Sequence, residues 1–270
     1  MTTLTGGPSL TAQYRGVLRS EWIKLISVRS TYLSMLVAIG LALLIGVLDT
    51  SSAASNWATM TAADRAAFDP VGTSFDGLQF GVLAFGVLGV LAISSEYGTG
   101  MIRTSLTAVP RRGMLYATKA AVLGALTLAL GEAFSFVTFF LGQAMLSSKH
   151  LQVSLGDPGV FRAVFAAGLF LFVVTMVGFG LGALIRHSAG ALAALFGLLF
   201  IAYAFARAIE KWSYLPDRLL LTNASDVLGQ VHVHADHPLR IPSLGFAYFD
   251  LALYLVVFVG AGAARAMRDA

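Results

Sequence analysis

Three places in this 270-residue chain carry side chains whose type and spacing could do chemistry. The first is Glu132, a lone carboxylate in a long apolar run. A bare carboxylate at mid-membrane depth costs roughly 3 kcal/mol on insertion scales, so it must face protein or a wet cavity. Ser135, one helical turn on, is placed to hydrogen-bond to it. Glu132 therefore either lines a substrate path or is a protonated or hydrogen-bonded structural carboxyl. A proton relay needs a chain of such groups, and no second mid-span carboxylate is evident. The second place is His232-Val233-His234-Ala235-Asp236-His237. Alternate histidines on an extended strand point the same way, as metal ligands do. The run is short and lacks a matched fourth ligand, so it is read as a solvated polar loop and no metal site is assigned. The third is the segment from Ser95 to Arg112, where a charged start and two glycines lead into a short semi-polar helix that closes on Pro110-Arg111-Arg112.

No common catalytic signature is present. A phosphate-binding loop needs Gly-Lys-Ser/Thr so that the lysine can reach phosphate, and none of Lys24, Lys119, Lys149 or Lys211 follows a glycine. Gly-x-Ser-x-Gly and His-Glu-x-x-His are missing too. No cysteine is available for disulfides or thiolate metal sites. The expectation is a protein that is not an enzyme and binds no cofactor of its own.

The elements that must hold these groups are membrane helices. Hydrophobic residues make up 57% of the chain and charged residues 12%, with mean hydropathy +0.78. That is about half the charge a soluble domain carries. A span needs about 20 mostly apolar residues. Six fit, near 30–48, 74–94, 119–146, 162–185, 189–206 and 246–264, which divides the chain into an N-terminal segment 1–29 and a six-span domain 30–270. Residues 1–29 hold no apolar core beside a cleavage site, so the first span is expected to serve as an uncleaved insertion signal. The net charge of +4 could suggest nucleic acid, but the basic residues gather at the ends of apolar runs, so no nucleic-acid partner is expected.

Loop charge sets the orientation. With both termini on one side, that side holds eleven of the 18 lysines and arginines, among them Arg103, Arg111, Arg112, Lys119, Arg186, Arg265 and Arg268. Most acidic residues fall near the other side. Both termini, 95–118 and 186–188 are therefore expected in the cytoplasm of a plasma-membrane protein, with 49–73, 147–161 and 207–245 outside.

Residues 13–29 place Val17, Leu18, Trp22, Leu25 and Ile26 on one helical face, with Arg15, Arg19 and Lys24 largely on the other. A helix lying in the membrane interface, with Arg15, Arg19, Trp22, Lys24 and Arg29 at headgroup level, accounts for this; a basic flank that only fixes topology is the simpler alternative. Gly178, Gly180 and Gly182 in span four, and Gly77 and Gly81 in span two, let helix backbones approach closely or else form a hinge. In 207–245, Trp212, Tyr214, Leu215 and Leu219-Leu220-Leu221 suit short interfacial or re-entrant helices. Asn223-Ala224-Ser225 matches a glycosylation acceptor.

The layout and the 95–112 segment together resemble the permease subunits of type 2 ABC exporters. That family has six spans, an interfacial N-terminal helix and a Glu-Tyr-x-x-Gly-Thr-Ile-Arg-like segment between spans two and three, closed by Pro-x-Arg or Pro-Arg-Arg. Glu96, Tyr97, Gly100, Ile102, Arg103 and Pro110-Arg111-Arg112 match; Met101 stands where threonine is usual. The resemblance implies an all-α integral membrane protein with a coupling helix between spans two and three and short external helices before span six. It implies that Glu96, Tyr97, Gly98, Thr99, Gly100, Met101, Ile102 and Arg103 couple this chain to a cytoplasmic ABC ATPase present in two copies. ATP and Mg would sit on that ATPase. A second permease subunit, identical or not, would complete the translocation path. An ordinary basic loop, and a secondary transporter or membrane anchor without an ATPase, are the alternatives. The transported molecule is not legible: lipids, peptides and antibiotics fit equally.

Overall fold

The computed structural model describes residues 10–27, 29–109, 111–209, 215–231 and 243–268. Helix α1 (Leu10–Ser27) leads into α2 (Arg29–Asn56), which ends in a 3-10 turn at Trp57–Thr59. Two short helices follow, α3 (Ala62–Ala66) and α4 (Pro70–Ser74). Then come α5 (Leu78–Gly98), α6 (Met101–Ala108), α7 (Arg112–Ser147) and α8 (Val160–Ile185). Span five is one rod in three parts, α9 (Ser188–Phe196), a π turn at Gly197–Ile201, and α10 (Ala202–Ile209). The short α11 (Leu215–Arg218) and α12 (Leu221–Gly229) precede α13 (Leu244–Arg268). Every described element is helical, and six helices are long and apolar enough to cross a membrane. The protein is an all-α, multi-pass membrane protein.

Helix α8 is the axis of the bundle. Its most apolar stretch is 83% buried, against 17% for the corresponding stretches of α2 and α13 and 22% for span five. The glycines explain how so many neighbours reach it. A Cβ on Gly178 would stand 2.8 Å from the Gly86 carbonyl oxygen, and one on Gly182 2.8 Å from that of Val90. Gly89 of α5 returns the contact against the Thr175 carbonyl of α8, and Gly180 faces the Phe258 carbonyl of α13. Lipid supplies no hydrophobic drive between helices, so such backbone approaches are the available source of cohesion. Gly77 lies against the Ala42 carbonyl of α2, while Gly81 meets the Phe134 ring of α7. Each of these glycines sits at a crossing, as the packing account requires.

Several boundaries differ from expectation. Helix α2 runs past Asp49 to Asn56; residues 50–56 contain no breaker, and Thr50 satisfies its hydroxyl within the helix on the Gly46 carbonyl, 2.7 Å. Span two begins at Leu78, not 74, because 70–74 forms its own helix with Pro70 at its start and Asp69 accepting from the Val71 N–H at 3.0 Å. Helix α7 begins at Arg112, two turns before Lys119. A lysine marks the end of a span only when it must seek water, and Lys119 finds carboxylates instead.

Candidate functional site

One end of the bundle collects the last turn of α5, all of α6, the start of α7, the α8–α9 turn and the end of α13; we call it the basal end. Helix α5 stops at Gly98, and Gly100, with φ of +73°, turns the chain into α6. Left-handed backbone is nearly cost-free for glycine alone, which places the bend there. The bend means that α5 and α6 are separate helices, so Glu96 and Arg103 do not share a helical face despite their seven-residue spacing.

Glu96 points inward and is 3% exposed. Its Oε1 takes the Lys119 ammonium of α7 at 2.7 Å and that of Lys24 at 3.4 Å. Lys119, also buried, reaches Glu21 of α1 at 2.5 Å, and Lys24 reaches the other Glu21 oxygen at 2.7 Å. Lys24 further donates to the Ser105 hydroxyl of α6 at 3.0 Å. Two carboxylates and two ammonium groups thus tie α1, α5, α6 and α7 together. Burial alone would lower the Lys24 pKa, but Glu21 and Glu96 outweigh it and hold the ammonium above its ordinary 10.5. A buried charge is tolerable only when paired in this way.

Helix α1 is amphipathic in a different sense from the one its sequence suggests. Val17, Glu21 and Lys24, at helical spacing, form the stripe that faces the protein, while Leu18 and Trp22 are exposed. Arg15 and Arg19 are exposed as well. The apolar residues that face outward suit lipid, and two of the three residues of the inward stripe are charged. Arg29 opens α2, and its side chain lies outside the described residues, as do those of Leu25 and Ile26.

Helix α6 is docked by one face. Ile102, Leu106 and the following Val109 pack on Val17, Met114 and Leu115. Met101, Arg103, Thr104 and Thr107 are exposed, as are Gly98, Thr99 and Gly100 before them. Tyr97 is half-buried, and the Arg186 guanidinium lies over its ring at 5.0 Å. The segment thus divides by role in space: Glu96 is an internal anchor and Arg103 stands outward. Pro110 lies outside the described residues.

Glu132 packs against α8, where a Cβ on Gly168 would fall 2.7 Å from its carboxyl carbon. Neither carboxyl oxygen has a hydrogen-bond partner among the described residues. Ser135 does not supply one; its hydroxyl donates to the Val164 carbonyl at 2.5 Å. Glu132 is not the single buried carboxylate of the spans. Asp250 sits in the second turn of α13, 1% exposed and, among the described residues, likewise without a partner for either oxygen. Helices α11 and α12 occupy part of the expected external region, with Leu220 and Leu221 buried and Leu219 exposed. Trp212, Tyr214 and the run His232, His234, Asp236 and His237 lie outside the described residues. Among the described residues no group of three potential ligands could hold a metal.

Sequence reasoning missed Glu21 and gave Lys119 only a topological role. A signal was there. Glu21 is the one acidic residue in α1, and Lys119 lies within an otherwise apolar stretch of α7. A lone acid in a basic helix and a lone base in an apolar stretch are a reason to pair them.

Architecture and site together define the class: a six-span, all-helical membrane protein with a charge-pinned elbow at its basal end. The chain matches no model of a known protein family and no curated protein.

Proposed function

We propose that this chain is the membrane-spanning subunit of an ATP-driven exporter, working with a second permease subunit and two copies of a separate cytoplasmic ATPase that hold ATP and Mg. The observation that carries the proposal is the construction of α6. Its inner face is fastened to α1 and α7, and its outer face presents Arg103 with Met101, Thr104 and Thr107. A helix held this way transmits a push without bending. The loop charges put it in the cytoplasm, where an ATPase could reach it. The solid packing around α8 supports a second subunit, since the six helices of one chain close around α8 instead of around a channel. ATP binding and hydrolysis would bias a two-state equilibrium between inward and outward access.

Pull-down of the native complex tests the partnership, and Arg103→Glu tests the elbow. Surface changes shift stability by only about 0.5 kcal/mol, so this variant should be monodisperse with an unchanged Tm. Its reconstituted ATP hydrolysis and transport should fall together. Full coupled activity in Arg103→Glu combined with Thr107→Glu would remove the elbow from the mechanism.

The carboxyls of Glu132 and Asp250, which find no hydrogen-bond partner among the described residues, favour a second reading, a secondary transporter driven by a proton or cation gradient. Transport that survives ATP depletion, collapses with the gradient and is lost in Glu132→Gln would select it over the first.

A further inference from the structure

At the end of the bundle opposite the basal one, Asp250 and Arg218 carry opposite charges and do not meet. Phe246, Asp250 and Tyr254 stand four residues apart on α13 and so share one stripe of that helix. Arg218, the last residue of α11, rests on the first of them, with its guanidinium carbon 5.4 Å from the centre of the Phe246 ring. Leu219 holds the last of them, its carbonyl accepting from the Tyr254 hydroxyl at 2.9 Å. Asp250 lies between these two contacts, beneath the junction of α11 and α12. Among the described residues, both Asp250 oxygens, the Arg218 Nε and the Thr222 hydroxyl of α12 are buried without a hydrogen-bond partner. Unpaired polar atoms thus gather where three elements meet. An unpaired buried charge is costly, and here a carboxylate and a guanidinium are left unpaired one helical turn from each other. The other end of α12 is fastened separately, because Arg162 at the start of α8 donates to the Gln230 carbonyl at 2.7 Å. That bond leaves the end of α12 nearer Arg218 free to pivot.

We propose that Arg218 and Asp250 form the closing contact of a gate at this end of the bundle. In one state Arg218 sits on the Phe246 ring and Asp250 stands alone, as in the structure. In the other, the guanidinium has moved one turn along α13, roughly 6 Å, and pairs with both Asp250 oxygens, for which its planar fork is suited. A cation–π contact holds the first state and a desolvated ion pair the second. One guanidinium therefore has two discrete seats, as a switching element needs. Pairing draws the α11–α12 junction onto α13 and seals the seam between them, and release loosens it. Ala247, fully buried on α13 in the same apolar cluster as Leu221 and Ala224 of α12, lies in that seam. The inference uses neither the orientation deduced from loop charge nor an ATPase partner.

The chain has no cysteine, so Ala247→Cys places a single thiol in the seam. Its rate of reaction with a small charged methanethiosulfonate, measured on the purified protein in nanodiscs, reads how often the seam opens. In that background Arg218→Gln and Asp250→Asn should each raise the rate by about fivefold or more. The two together should raise it no further, because either one alone already abolishes the pair. The swap Arg218→Asp/Asp250→Arg should bring the rate back to within about twofold of the parent. Unchanged rates in the single variants, a rise in only one of them, or effects that multiply in the double variant overturn the gate, as does a folded swap that fails to restore the rate. Leu244→Cys, at the exposed start of α13, is the control, and its rate should be the same in every background. A matching rise there would show general loosening of the helix and would also overturn the gate. Both neutral variants are close in shape to the residues they replace, so the cycle decides the question even if the swap does not fold.

Discussion

Replacing Lys119 by methionine removes one of the two cations that neutralise Glu21 and Glu96. The two carboxylates are 2% and 3% exposed, so neither can turn to water. Lys24 remains, but it is one charge for two carboxylates, and it sits 2.7 Å from Glu21 against 3.4 Å from Glu96. Glu96 is therefore the group left stranded, with its Oε2 already lacking a hydrogen-bond partner. Breaking a buried pair in this way costs about 3–5 kcal/mol. For a chain of this size the loss corresponds to a fall in Tm of about 6–20 °C. Thermal unfolding of the purified protein measures it. The triple variant Glu21→Gln/Glu96→Gln/Lys119→Met, which removes the buried charge on both sides, should recover most of the loss. A fall of under 1 kcal/mol would refute the account of a buried, mutually neutralised cluster.

The Lys24 ammonium, raised by Glu21 and Glu96, contributes stability that is fully present below about pH 10.5 and lost as pH climbs through its higher folded value. Lys24→Met should therefore flatten the decline in Tm above about pH 10.5 relative to wild type, and parallel curves would refute the pairing. Gly180→Ala puts a methyl group into the Phe258 carbonyl of α13 and should cost about 1–3 kcal/mol by overpacking. Gly260→Ala on α13 itself, with nothing within 4 Å, is the matched control, and equal Tm values for the two variants would refute the crossing. Because the chain has no cysteine, single cysteines report its orientation directly. Cysteine at Ser55 or Ser225 should react with an impermeant reagent on intact cells and cysteine at Thr107 should not. Thr107 is exposed on α6, and labelling of Thr107 from outside would invert the topology.

Six spans were legible because apolar runs of the required length are interrupted by charge or by turn residues. Where that signal misled, one physical fact was hidden. At Lys119 charge was taken to mean water, and a span was cut short by two turns. Sequence spacing reports which residues share a helical face but not what that face meets. So Val17, Leu18 and Trp22 were grouped together, although Val17 meets α7 and the other two look outward. The elbow was legible as a segment. The division between Glu96 as anchor and Arg103 as outer residue was not, because it depends on Glu21 and Lys119, which lie 75 residues before and 23 residues after Glu96.

The four-residue cluster at the basal end has an electrical consequence. A membrane potential does about 2.3 kcal/mol of work per elementary charge carried through 100 mV. Two carboxylates and two ammonium groups sum to zero, so the field does no net work on the cluster itself when its four residues move together along the membrane normal. Removing any one member, as in Lys119→Met, ends that neutrality and leaves a net charge at the junction of α1, α5, α6 and α7 on which the field acts.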